Sequence, residues 1–244
     1  EATGLVTFTA TLSNPVLAGD DPVVIHTTLG DITITSGTTG ILEVTNPNTE
    51  DVYNDASTLD NAITSVTGGN FEKLTPDTDT VTANIDDVDQ TTTVSVSTAD
   101  VNENEATVSF TIQTSNVPDP DTYDVNNKPT ASITVTDQDG TETTHTVELD
   151  ANGQGILTIA TQDSDVYNDS QSYEAVVTDI DGGNFEAVDL TNAKATSKVE
   201  DTTDTENETT VSLAATDTNE ATGLVTFTAT LSNPVLAGDD PVVI

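Results

Sequence analysis

The feature that most constrains this chain is repetition: Glu1–Ile25 recurs without a change at Glu220–Ile244, which sets a long period of 219 residues. A chain that repeats itself over such a distance folds as an array of modules and not around one core. A weaker repeat lies inside the long one. Asp51-Val52-Tyr53-Asn54-Asp55 reappears as Asp165–Asp169 and Gly68-Gly69-Asn70-Phe71-Glu72 as Gly182–Glu186, both at an offset of 114, and 11 of the 22 positions from Asp51 to Glu72 match. Thr92-Thr93-Val94-Ser95 returns as Thr209–Ser212, and Phe8…Ser13-Asn14 as Phe110…Ser115-Asn116. These offsets describe two alternating modules of about 105 to 117 residues, the size of one small β-sandwich.

The type of module follows from periodicity. Val94-Ser95-Val96, Val108-Ser109-Phe110-Thr111-Ile112, Ile133-Thr134-Val135 and Leu157-Thr158-Ile159 alternate apolar with Ser or Thr, the period-two signal of strands with one buried face. This pattern argues against a disordered acidic coil. Seven strands, A to G, are expected near 92–97, 106–114, 130–136, 144–149, 155–161, 171–179 and 194–199. The expected fold is therefore all-β: immunoglobulin-like Greek-key β-sandwich modules of about seven strands, set end to end in a rod. The expected boundaries are 1–89 for a module lacking its first strand, 90–204 for a complete module, and 205–244 for the first two strands of a further one.

Charge restricts the partners. The chain carries 43 acidic residues against four lysines and no arginine, a net charge of -39. Binding to nucleic acid or an anionic membrane rests on Lys and Arg, so neither is expected. There is no cysteine, methionine or tryptophan, hence no disulfide framework and no thiolate metal site. No apolar run reaches the roughly 18 residues of a membrane span. His26 and His145 sit singly in alternating strands without a nucleophile motif, and carboxylate pairs are too common here to indicate acid–base chemistry, so an enzyme is not expected.

The run Asp165-Val166-Tyr167-Asn168-Asp169, a strand, Gly182-Gly183-Asn184-Phe185-Glu186, a second strand, and the acidic Thr-rich stretch from Val199 leading into Thr209-Thr210-Val211-Ser212-Leu213 resemble the tandem repeats of large RTX biofilm adhesins of Gram-negative bacteria. The resemblance covers essentially the whole chain. It implies immunoglobulin-like extenders, outside the cell on the bacterial surface, that carry distal ligand-binding domains, with calcium between modules.

A separate argument from topology leads to the same ion. Threading seven strands gathers loops AB, CD and EF and the end of strand G at one pole. In the complete module these supply Asp100, Asn102 and Glu103; Asp137 and Asp139; Asp163, Asp165 and Asp169; and Glu200, Asp201 and Asp204. The preceding module offers Glu1, Glu50, Asp51, Asp55, Asp86, Asp87 and Asp89, but no Asp-x-Asp-Gly in its CD turn. Like charges brought so close repel unless a cation intervenes. Calcium accepts six to eight oxygens in adaptable geometry, whereas magnesium demands a strict octahedron and zinc prefers His or Cys. The competing account of each Asp and Asn is an ordinary turn residue, whose side chain mimics a backbone turn. Asp119, Asp121, Asp124, Asp179 and Asp181, at the opposite pole, offer either a second site or solvated turns, and the turn reading is favoured.

The function expected is mechanical: a calcium-stiffened extender whose partners are neighbouring modules, with head-to-tail contact through the end modules. The alternative is a calcium-dependent carbohydrate- or cell-binding module. That site wants an exposed aromatic platform, and the chain has four tyrosines and five phenylalanines, of which Phe8, Phe71, Phe110 and Phe185 recur at matched positions as packing residues would. The Thr-x-Thr run Thr7-Phe8-Thr9-Ala10-Thr11 could suggest ice binding, but the short-period solenoid that aligns flat ranks is missing.

Overall fold

Alternation decides which face of each strand is buried. In the strand Thr107–Thr114, Val108, Phe110 and Ile112 are fully buried while the alternate residues Thr107 and Ser109 are exposed. The computed structural model describes residues 4–48, 50–161, 165–221 and 223–244. The described residues contain no helix. They form two units, one of residues 1–92 with the segment Asn184–Val188, the other of residues 93–183 and 189–244.

The strands of the first unit are β1 (Leu5–Val16), β2 (Val23–Thr27), β3 (Asp31–Ile34), β4 (Gly37–Thr45), β5 (Ser57–Gly68) and β6 (Thr80–Ile85). A two-stranded sheet β1-β4 faces a four-stranded sheet β3-β2-β5-β6. Val16, Val23, Ile25, Ile32 and Ile34 form the buried core, and Ala10, Leu12, Leu42, Ile63, Val66, Phe71 and Leu74 pack against it while remaining partly exposed. β1 hydrogen-bonds to β4 along one edge, and no described strand occupies the other.

In the second part of the chain follow β7 (Thr91–Ser97), β8 (Val101–Asn102), β9 (Thr107–Thr114), β10 (Thr130–Asp137), β11 (Glu142–Glu148), β12 (Gln154–Ala160), β13 (Gln171–Asp181), β14 (Ala187–Asp189) and β15 (Lys194–Glu200). A sheet ordered β11-β10-β13-β15-β8 packs on a sheet ordered β12-β9-β7-β14. The chain crosses between sheets from β9 to β10 and from β11 to β12, and β12 returns to pair with β9, a Greek-key β-sandwich. Between the sheets Val94, Phe110, Ile112, Ile133, Leu149, Leu157, Val177 and Val199 make a continuous core. The seven expected strands fall on β7, β9, β10, β11, β12, β13 and β15.

Two strands are new. β8 and β14 are two and three residues long, too short for a period to show. β8 matters most, because it joins β15 in parallel, Val101 opposite Val199 and Asn102 opposite Glu200, and so holds the loop after β7 beside the acidic stretch that leaves β15. Close sheet packing also requires a residue without a side chain. A Cβ on Gly155 would lie 2.7 Å from Val147 Cγ1 and 2.9 Å from the Glu148 carbonyl oxygen.

The chain continues into a hairpin of β16 (Val211–Ala215) and β17 (Phe227–Leu231). Its residues have the same alternation as β7 and β9, yet Val211 is 52% and Phe227 65% exposed, against 3% for Val94 and 0% for Phe110.

Candidate metal centre

Glu103 stands at the turn after β8, and its burial is unusual for a carboxylate: 3% exposed in a chain of net charge -39. Its position is fixed by the β8–β15 pairing, which the Glu103 N–H extends by donating to the Glu200 carbonyl oxygen at 3.0 Å. Its Oε1 accepts from the Thr202 N–H (2.8 Å), the Thr202 hydroxyl (2.9 Å) and the Asn207 side-chain amide (2.6 Å). Its Oε2 is buried and receives no hydrogen bond. A buried charge half satisfied in this way is costly unless a cation completes it.

Two further carboxylates converge there. One oxygen each of Glu103, Asp169 and Asp201 lie within 4.8 Å of one another, Glu103 buried, Asp201 half-buried and Asp169 exposed. The Asp169 N–H donates to Asp201 Oδ1 at 3.3 Å, tying the loop before β13 to the segment after β15. Asn104 donates through its side-chain amide to Asp204 Oδ2 (3.0 Å) and to the Thr202 hydroxyl (3.2 Å), holding the acidic segment over the site. Neither ion pair found among the described residues, His26–Asp31 and Lys128–Glu148, involves the cluster. Three carboxylates, one with a buried oxygen that receives no hydrogen bond, form a hard-oxygen donor set suited to a hard divalent cation.

The remaining expected residues separate into groups. Asp100 Oδ1 accepts from the Lys198 N–H (2.9 Å), Asn102 Oδ1 from the Asn104 N–H (3.0 Å) and Asp165 Oδ1 from the Tyr167 N–H (2.7 Å), so these shape the loops around the cluster. Glu200 lends its backbone, and Asp204 caps the turn formed by Glu206 and Asn207. Asp137 and Asp139 lie outside the group of three, in the β10–β11 turn. There Asp137 Oδ1 takes the N–H groups of Asp139 (3.0 Å) and Thr141 (2.8 Å), and Gly140 adopts the positive φ of 79°. This is the ordinary turn chemistry of aspartate. Asp163 and Glu1 lie outside the described residues.

In the first unit, Asp55 and Asp87 occupy the positions of Asp169 and Asp201 at the offset of 114. Asp87 Oδ1 is likewise buried with no hydrogen bond, whereas Asp55 Oδ1 accepts from the Asn48 amide at 3.0 Å. Asp51 Oδ1 caps the Tyr53 N–H (2.7 Å), Glu50 Oε1 accepts from the Gln90 amide (3.1 Å), and Asp86 and Asp89 are exposed. Glu186, which the sequence did not single out, takes the Gln90 N–H at 2.6 Å and buries its other oxygen unpaired. Beside it the Phe185 and Tyr53 rings lie 6.5 Å apart. The repeat of Gly-Gly-Asn-Phe-Glu was the available signal for Glu186.

A model of the LapA domain matches residues 1–88 and again residues 89–202. The chain belongs to the LapA domain family. The two matches are consecutive, so the domain occurs here in tandem. A solved structure described as a tetra-tandem repeat in the extending region of a large adhesion protein is similar to it at a TM-score of 0.36 and 16% identity, over 93% of this chain and 62% of that one. The LapA-domain chain therefore spans less than two thirds of that structure's length. No curated protein matches.

Proposed function

We propose that this LapA-domain chain is a spacer of a secreted, RTX-type biofilm adhesin on the bacterial surface, non-catalytic, projecting distal adhesive domains and stiffened by calcium at the ends of its modules. The observation that carries the reading is the buried, half-satisfied Glu103 carboxylate facing Asp169 and Asp201. Glu103, Asp169 and Asp201 would hold the ion, with Asp55 and Asp87 as their counterparts in the first unit. Calcium, when bound, supplies positive charge that turns mutual repulsion into attraction. The residues themselves come from the loop after β8, the loop before β13 and the segment after β15, so neutralising them ties the segment leading to the next module onto the sandwich it leaves. Stiffness follows from that anchorage, and the array gains reach with every copy. Neighbouring modules of the same chain are the partners in this reading.

Extracellular modules hold calcium with Kd values of about 10⁻⁴ to 10⁻³ M, and an ion present at a hundredfold excess over Kd stabilises the folded state by about 2.7 kcal/mol per site. Calcium titration by calorimetry, with small-angle scattering in chelator and in millimolar calcium, tests the proposal. Heat of binding that is lost in Asp201→Asn, and a radius of gyration that rises with calcium, are expected. An unchanged radius of gyration and melting temperature on chelation would sink it.

A further inference from the structure

The segment Asn184–Val188 belongs to the first unit, although the residues on either side of it in the chain belong to the second and it lies inside the second LapA match, 89–202. Its course is set by the residues that lead into it. Gly182, Gly183 and Asn184 take φ values of 81°, 83° and 55°, a run of left-handed backbone that glycine accepts freely and asparagine tolerates through its short polar side chain. The run is held from behind. The Asp119 N–H donates to the Gly183 carbonyl oxygen at 3.1 Å, and Gly182 stands against Pro129, where an added Cβ would lie 3.3 Å from the Pro129 Cα.

From there Phe185 and Glu186 meet the loop Val52–Asn54. The Asn54 N–H donates to the Asn184 carbonyl oxygen (2.9 Å) and the Glu186 N–H to the Val52 carbonyl oxygen (3.0 Å), which makes Tyr53 and Phe185 an isolated antiparallel pair. Bonds on both sides of a pair and none within it mark the narrow antiparallel site, where facing side chains come closest, and the two rings lie 6.5 Å apart. Glu186 Oε2 accepts the Gln90 N–H at 2.6 Å while the Gln90 side-chain amide donates to Glu50 Oε1 at 3.1 Å, so the connection just past the first LapA match is tied twice. The halves of this contact are the two motifs that recur between the domains, Asp-Val-Tyr-Asn-Asp and Gly-Gly-Asn-Phe-Glu.

We propose that Gly182–Glu186 is a clasp through which the second LapA domain grips the first, with the Asp51–Asp55 loop as its partner surface, and that the grip holds without calcium. Its elements are backbone pairing, an aromatic pair and a capped linker amide, none of which needs an ion. The chain passes between the units at three places, 92–93, 183–184 and 188–189, in place of a single linker, so the domains come apart only when the clasp peels away. In a chain of net charge -39, self-repulsion works against close domains, and the clasp supplies a short-range attraction that opposes it. This goes beyond the calcium reading and does not depend on it.

Amide exchange of the full chain in chelator, read residue by residue by NMR, tests the clasp. The Asn54 and Glu186 amides should exchange at least about tenfold more slowly than in an unstructured chain. They should speed up by about tenfold in Phe185→Ala, and in Asn184→Val, whose branched side chain opposes the positive φ, while the Ile112 amide inside β9 keeps its rate. The chain lacks cysteine, which allows a second measurement. A narrow antiparallel pair brings its Cα atoms to roughly 4.5 Å, within disulfide range, so Y53C/F185C mildly oxidised in chelator should close within single chains about tenfold more than the off-register Y53C/E186C. Unstructured exchange at Asn54 and Glu186, rates unmoved by both variants, release of Ile112 together with them, or cross-linking no greater than the control would each overturn the proposal. Calcium is absent throughout, so failure of the calcium reading leaves the expected results unchanged.

Discussion

Replacing Glu103 by Gln separates a metal ligand from a structural acid, because the two roles predict opposite signs. The amide oxygen of Gln can keep the three donors that Oε1 now holds, so the loop geometry is preserved. What is lost is one negative charge from a group of three whose oxygens lie within 4.8 Å. At that separation each like-charge pair costs roughly 1 kcal/mol in water and about 3.5 kcal/mol at an effective dielectric of 20. Asp169 is exposed, so the lower figure applies to its pair. In chelator, E103Q should therefore be more stable than the parent by about 1 to 2 kcal/mol. In calcium at a hundredfold excess over Kd the parent gains about 2.7 kcal/mol and the variant little, so the order reverses. For a domain of this size about 1 kcal/mol moves the midpoint by roughly 4 °C, which calorimetric melting of parent and variant with and without 10 mM calcium resolves. Crossing of the two curves is the expected result. A variant destabilised equally in both conditions would refute the reasoning and leave Glu103 as a plain turn-holding acid.

Asp137→Ala should cost about 0.5 to 2 kcal/mol by removing the side-chain acceptor of the β10–β11 turn, equally with and without calcium, as urea denaturation in both buffers would show. Gly155→Val should destabilise the second unit by about 1 to 3 kcal/mol, because its side chain has to enter space held by Val147 and the Glu148 carbonyl. A melting midpoint within a degree of the parent would contradict that packing. The Asp150 carboxyl, which accepts the N–H groups of Gln154 and Asn152, is held below the usual aspartate value, chiefly by the Gln154 bond. Its folded-state pKa is lowered, so its contribution is present above the unfolded value and is lost as pH falls through the folded one. A carboxyl carbon titration by NMR should place its midpoint below that of an unperturbed aspartate, and Asp150→Asn should flatten the acid limb of the stability curve.

Much of the architecture was legible because period-two alternation is a local signal. Val108, Phe110 and Ile112 announce a half-buried strand whatever surrounds them, and the seven expected strands coincide with observed ones to within a few residues. The site was legible only in part. Gathering loops AB and EF with the outgoing segment brought Glu103, Asp169 and Asp201 into one neighbourhood. Loop chemistry could not say that Asp137 would spend its carboxylate on its own turn, since Asp-x-Asp-Gly reads alike as ligand and as turn.

By itself, the sequence determined that the chain is an array, because identity over 25 residues at a spacing of 219 needs no structure to be seen. It also determined that its modules are β-sandwiches and that its surface repels polyanions. Tertiary structure alone decided which of the many carboxylates is buried. Two residues of β8 pairing with β15 place Glu103 under the departing segment, and burial depends on such non-local contacts, which no local pattern records.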